Sequence, residues 1–250
     1  MWGFESQAES TLQGYSMTEQ AIKKTKTAYL PEQEQQLEDL ISYRRPRQKR
    51  GVKKFDSILD AAHELILSKG VHNFSLYDVA EHAEVAVGSA YHFFPSIEAV
   101  FAALVERYDR DFWKIVSDYV PAAEVENWGD IIWHHIEKSR RYINEHQQVL
   151  IMLLGPGQTW QTRQVDTVGD TAIARGMRNN IERYFQLPGE PDSAELLHLA
   201  IRILESFWQL SYQRHGQVTE EIQMETYRAM CTYLELYWPK YLPRKEAAGE

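Results

Sequence analysis

Seven basic side chains crowd into positions 44–54: Arg44, Arg45, Arg47, Lys49, Arg50, Lys53 and Lys54, with no acid among them. A block this dense either contacts phosphate or is a solvated tail. Further along, the run Val87-Gly88-Ser89-Ala90-Tyr91-His92 carries a second chemistry. Ser89, Tyr91 and His92 offer hydroxyl and imidazole groups that donate to phosphates or to base edges. Gly88 and Ser89 keep the start of this run slim, so backbone can approach a polyanion that a helix N-terminus also favours. Ser75 and Asp78 have the spacing of a capping box, and Tyr77 lies between them.

Other chemistry-bearing patterns read as structural. Gly155-Pro156-Gly157 lacks the third glycine, the Lys-Ser/Thr pair and the preceding strand of a phosphate loop. Glu195 and His198 have the Glu-x-x-His spacing of carboxylate di-metal bundles, but no second copy is present. His134 and His135 are adjacent and diverge on a helix. Cys231, the one cysteine, has no paired base in sequence. We therefore expect no metal, no cofactor and no catalytic residue.

The elements that position the basic block and the polar run are helices. Phe55, Ile58, Leu59, Ala62, Leu65 and Ile66 repeat at three-four spacing, and Gly70 ends the stripe. Ser75 then caps a short helix over 76–83. A turn around Glu84 leads to a second short helix over 87–93, and Pro95 closes it. Ser96 caps a long helix bearing Val100, Phe101, Leu104, Val105, Tyr108, Phe112 and Ile115. Five more helices are predicted over 128–145, 148–154, 158–185, 193–214 and 220–238. No alternating strand pattern and no repeat is found, so the fold class is all-α. Residues 1–43 are rich in Gln, Glu, Ser and Thr and are expected to be a largely mobile extension, with a short helix over 31–42 at most. Met17 is an alternative start.

The chain has 250 residues and a formal net charge of −9, which at first argues against a nucleic-acid partner. The charge is unevenly placed. Segment 44–107 is net +1, and the acidity belongs to the two flanking segments. No apolar run approaches the roughly 20 residues of a membrane span, and no signal peptide is visible. With a single cysteine, a reducing, cytoplasmic location is expected.

Two short helices joined by a tight turn form a helix-turn-helix, whose second helix is sized for the major groove. Here the sequence resembles the TetR family of bacterial transcriptional regulators. The resemblance runs from Ile58 to Tyr108: "ILDAAHEL" with Gly70 in the first helix, Ser75-x-x-Asp78-Val79-Ala80 in the second, and "YHFFPSIEAV" from Tyr91 to Val100. It implies an N-terminal three-helix DNA-binding domain with its basic arm over 44–107, a helical ligand-binding and dimerisation domain over 108–240, and a tail over 241–250. It also implies roles by position. Ser75 and Tyr77 take the phosphate-touching positions of the second helix, with Ser75 also a cap and Tyr77 open between contact and core. Val87, Gly88 and Ser89 face bases, Tyr91 and His92 face phosphate, and Phe93 and Phe94 are core. The arm from Arg44 to Lys54 follows the backbone or enters the minor groove. Three positions depart from the pattern. Glu84 stands where the turn glycine is usual, at a cost of about 1 kcal/mol if left-handed. Val87 and Ile97 replace two lysines, which removes two phosphate contacts per subunit, while Val87 offers apolar contact to a thymine methyl.

The C-terminal part is expected to hold an effector pocket and a dimer interface. Pocket candidates are Trp113, Tyr142, Met152, Trp160, Ile173, Met177 and Phe207, with His134, Arg140 and Arg175 as polar candidates. For each, packing is the competing reading. The last two helices offer Leu197, Ala200, Leu204, Trp208, Tyr227, Met230 and Leu234 as a homodimer interface, in line with the four-helix bundle that the resemblance implies. The function expected is a repressor of a palindromic double-stranded DNA operator, released by a small, largely apolar molecule that changes the spacing of the recognition helices. Two other classes compete. A ligand-independent architectural protein predicts a filled core. A helical enzyme demands a convergent polar cluster within 110–240.

Overall fold

The computed structural model describes residues 29–245, which form ten α-helices. They are α1 (Pro31–Leu40), α2 (Lys49–Lys69), α3 (Leu76–His82), α4 (Val87–Phe93), α5 (Ile97–Ser117), α6 (Trp128–Glu145), α7 (Gln147–Leu153), α8 (Trp160–Tyr184), α9 (Ser193–His215) and α10 (Glu220–Leu234). Pairing between strands is limited, among the described residues, to an isolated bridge between Phe185 and Arg244.

The helix-turn-helix is built from the signals read in sequence. Helix α2 buries Ile58, Leu59, Ala61, Ala62, Leu65 and Ile66 and ends at Gly70, whose φ is 81°. It begins at Lys49, so four of the seven basic residues ride on the first helical turns and not on an extended arm. The Ser75 backbone N–H donates to Asp78 Oδ2 at 2.8 Å, which completes the capping box of α3. Phe93 and Phe94 are buried, as expected of core. Phe55 stacks on Phe94 at 4.7 Å, and Phe74 meets Phe101 of α5 edge-on at 5.8 Å. The three-helix unit is thus seated on the first half of α5.

The second half of α5 belongs to the C-terminal bundle, where it packs along α8. Gly169 makes that approach possible. A Cβ there would lie 2.3 Å from Asp109 Oδ2, and at Gly176 one would lie 2.8 Å from Val116 Cγ2. Helices α9 and α10 form an antiparallel pair against α8 and α6, and Gly216 turns the chain between them with φ 70°. Helix α10 stops at Leu234, short of the expected 238. Beyond it Trp238 turns back onto Trp128, edge to face at 5.4 Å, and Trp128 Nε1 donates to the Pro239 carbonyl at 3.0 Å.

Part of the segment expected to be mobile docks on the body. Tyr29, Leu37 and Tyr43 are buried. Helix α1 lies against α8, where Arg175 donates to Gln33 Oε1 at 2.7 Å. Segment 29–43 therefore straps α8 to the helix-turn-helix. Its three buried apolar anchors are widely spaced and form no helical stripe, which is why they escaped the periodicity. The rest of the expected extension, residues 1–28, and the second half of the tail, residues 246–250, lie outside the described residues. Among the described residues no helix is long and apolar enough to cross a membrane.

Candidate functional site

Helix α4 lies beside the start of α2. Gln48, Arg50, Gly51 and Lys54 form one wall of an open cleft, and Gly88, Ser89, His92 and Phe93 form the other. Lys54 Nζ reaches Ser89 Oγ at 3.5 Å. Nothing lies within 4 Å of where a Gly88 Cβ would be, so the backbone there faces open space. Tyr77 and Tyr91 are 57% and 52% exposed. Tyrosines left this bare are available to a partner. Ser75 and His92 are exposed as well, and Val87 is half-buried.

The basic residues divide into two groups. Arg44, Arg47, Lys49, Arg50 and Lys53 are exposed, and Lys54 is half-exposed. Arg45 turns inward to Glu106 of α5 at 3.0 Å. The buried Tyr43 hydroxyl donates to the same carboxylate, and Arg110 pairs with it at 2.6 Å. Burial pushes Glu106 up, but the two guanidiniums outweigh it and hold the carboxyl below its ordinary range. Arg45 is thus an anchor between the arm and α5.

At the other end of α5, the C-terminal bundle encloses a cavity of about 70 Å³. Its apolar wall includes Phe112, Val116, Ile136, Leu153, Ile173 and Trp208. Of the pocket candidates, Ile173 and Met177 line it. The others do not, for identifiable reasons. Trp113 and Arg175 border a separate groove with Tyr29, Leu30 and Pro31. His134 faces Glu124 at 3.4 Å. Arg140 is held by Glu137 at 2.8 Å. The Tyr142 hydroxyl donates to Asp111 at 3.1 Å. Met152 is buried in the core, with its sulfur against Gly157. Trp160 is 78% exposed at the start of α8. Phe207 is half-buried and does not line the cavity.

The interface candidates also need correction. Leu197, Ala200, Trp208, Met230 and Leu234 are buried within the protomer, and Leu204, Trp208 and Met230 line the cavity. Tyr227 is half-buried against Trp133, edge to face at 5.3 Å. These residues hold α9 and α10 to the body. The outward side of α9 carries instead Leu199, Ile203, Phe207 and Leu210 at three-four spacing, and Met224 on α10 is also exposed.

Sequence reasoning missed the polar part of the cavity. Asp109 from α5, Asp166 and Asp170 from α8, and Glu205 from α9 all line it. The carboxylates of Asp166, Asp170 and Glu205 converge, with oxygens within 4.8 Å of one another. Arg163 donates to Asp166 at 2.7 Å and to Glu205 at 3.1 Å. Arg202 bonds Asp170 at 2.9 Å and Glu205 at 2.6 Å. Burial raises all four carboxyls, with Asp166 pushed up to about 8; repulsion from neighbouring carboxylates adds to it at Asp109, Asp166 and Asp170, whereas Arg163 opposes it at Glu205. Among the described residues, Asp109 Oδ2 and His135 Nδ1 have no hydrogen-bond partner, although both residues are buried. A signal was present in sequence. Asp109 sits in register with Val105, Phe112 and Val116, and an acid on a buried stripe demands an explanation. Cys231 is half-buried and its thiol is pushed up to about 12, as suits an inert thiol.

Residues 58–104 match the family model described as bacterial regulatory proteins, tetR family. Over this segment the chain carries a DNA-binding domain similar to that of the TetR family. A helix-turn-helix-type transcriptional regulator of Bacillus subtilis, YuxN, is 25% identical over 150 residues, covering 57% of this chain and 49% of the relative. The chain thus spans about half the length of that relative. A TetR-family regulator from Streptomyces coelicolor shares the fold with a TM-score of 0.59 at 18% identity, over 74% of this chain and 99% of that one. A TetR regulator from Rhodococcus gives 0.57 at 19%, over 73% and 96%. The Thermus thermophilus repressor FadR, solved in complex with lauroyl-CoA, gives 0.53 at 15%, over 78% and 98%.

Proposed function

We propose that this TetR-family protein is a dimeric transcriptional repressor that reads a palindromic DNA operator with α4 and releases it when a small molecule enters the C-terminal cavity. The observation that carries the reading is the cleft between α2 and α4. Arg50 and Lys54 supply charge to the DNA backbone, Gly88 and Ser89 admit a close approach to base edges, and Tyr77, Tyr91 and His92 supply donors around the rim. Arg44, Arg47, Lys49 and Lys53 extend the positive surface. The inward pairing of Arg45 removes it from the set of phosphate contacts and makes it a link to α5.

Helix α5 is the natural lever. Its first half packs on the helix-turn-helix and its second half supplies Asp109, Phe112 and Val116 to the cavity wall. A ligand that displaces this wall tilts α5 and changes the separation of two recognition helices, which must match successive major grooves about 34–36 Å apart. The outward stripe of α9 with Met224 is the dimer surface in this reading, and its two-fold symmetry matches that of the operator. FadR binds lauroyl-CoA, but a cavity of about 70 Å³ suits a much smaller effector. Its existence also favours a ligand-responsive regulator over an architectural protein with a filled core. The convergent polar cluster demanded by an enzyme is present, but two guanidiniums already bridge its carboxylates.

Selection of bound sequences from a random DNA pool, followed by mobility-shift titration, tests the reading. Tyr91→Ala with His92→Ala should abolish sequence-specific binding, and unchanged binding overturns the assignment of α4. Arg50→Ala with Lys54→Ala should lower the salt slope of binding by about 4, two contacts in each of two subunits, and an unchanged slope removes these two residues from the interface.

A further inference from the structure

The C-terminal cavity is apolar along most of its wall and strongly acidic at one end. Four carboxyls meet there, and among the described residues two guanidiniums, Arg163 and Arg202, bond to them. Two negative charges remain uncompensated unless protons or a ligand neutralise them. Asp109 is the group left over. Arg163 serves Asp166 and Glu205, and Arg202 serves Asp170 and Glu205, but no donor reaches Asp109 Oδ2. Asp109 is nonetheless 2% exposed. A buried carboxyl oxygen without a donor is costly, and a group that donates to it would remove that cost.

We propose that the cavity takes a small organic cation, a protonated primary amine with an apolar body, whose ammonium sits against Asp109 and the Asp166–Asp170–Glu205 cluster. The chemistry of the walls selects this class. An ammonium brings charge and three donors with no acceptor, which is what the acidic end lacks. The apolar body then covers Phe112, Val116, Ile136 and Ile173. A bare divalent cation fits less well. The three convergent carboxylates resemble an oxygen ligand set, but every one of them is engaged by a guanidinium that a metal would have to expel.

The proposal names the effector class for the sensor reading above and rests on that reading only for its effect on DNA. Binding is tested first, on the full chain, by calorimetry and thermal shift. The probes are straight-chain primary amines from butylamine to decylamine, the alcohols of matching length, and the chlorides of magnesium, manganese and zinc. Amines should bind saturably and about tenfold or more tighter than the matching alcohols. Asp109→Asn keeps the shape of the side chain and should lose that preference. Ile173→Trp, which fills the apolar end, should lose amines and alcohols together. Equal affinity for amine and alcohol, an unchanged preference in Asp109→Asn, or saturable metal binding without amine binding overturns the proposal. The best amine is then added to the protein–operator complex. Amine binding without a change in DNA affinity leaves the cation site standing and overturns the sensor reading. Absence of amine binding in a protein that binds its operator overturns the cation site alone.

Discussion

Glu84 adopts φ 53° in the turn between α3 and α4, a conformation that non-glycine residues enter only at a cost. Its position in the sequence already pointed there, because the family pattern has glycine at this turn. The side chain is exposed and the strain lies in the backbone of the turn itself. Glu84→Gly should therefore raise stability by roughly 0.5–1 kcal/mol in urea unfolding, the left-handed strain relieved less the added chain entropy. A destabilised variant would mean that Glu84 makes a compensating contact. Asp109 carries the opposite kind of strain. It, Asp166, Asp170 and Glu205 are raised above their ordinary values, so the folded state holds more protons than the unfolded one between about pH 4 and pH 8. Stability is then greatest at the acid end of that window and falls as pH rises. Glu106 is shifted down and acts with the opposite sign, but only below its ordinary range. Arg163, Arg202, His198 and His135 face the cluster, and His135, lowered to about 3, stays neutral throughout. The midpoint of thermal unfolding should fall from about pH 6 to pH 8, and Asp109→Asn should flatten that fall. An equal or steeper fall in the variant would remove Asp109 from the linked groups.

At the scale of elements, the pairing of α5 with α8 depends on Gly169. Alanine there would drive its Cβ into the Asp109 carboxyl, which is packed and buried. Gly169→Ala should destabilise by about 1–3 kcal/mol, read by urea unfolding, even though alanine is the better helix former. A neutral or stabilised variant would show that Asp109 has room to move. Most helices were legible in sequence because they announce themselves locally. The stripe of α2, the capping boxes at Ser75 and the cap at Ser96 depend on residues three or four apart in the chain. Their ends were less legible. Helix α8 starts at Trp160, after its Thr159 cap, and not at 158. Helix α10 gives way at Leu234 because Trp238 is drawn onto Trp128, a partner more than a hundred positions away. Strap residues Tyr29 and Tyr43 were illegible for the same reason. Each is held by a remote group, Tyr29 under Arg110 at 4.9 Å and Tyr43 by Glu106.

For the whole molecule, the outward stripe of α9 is the surface proposed to carry a two-fold assembly. Ile203→Glu with Leu210→Glu should convert a dimer to a monomer in sedimentation velocity and weaken operator binding, without unfolding the chain. A dimer that persists would place the interface elsewhere. The sequence by itself determined the all-α class and the helix-turn-helix, which follow from periodicity, caps and turn residues acting over a few positions; the left-handed turn at Glu84 was what the family resemblance implied. Only the tertiary structure decided which apolar residues of α9 and α10 face inward, since Leu197 and Leu199 are equally apolar, yet Leu197 is buried and Leu199 exposed. It alone also brought Asp109, Asp166, Asp170 and Glu205 into one cavity, because their convergence depends on how three helices, distant in the chain, are pressed together at Gly169.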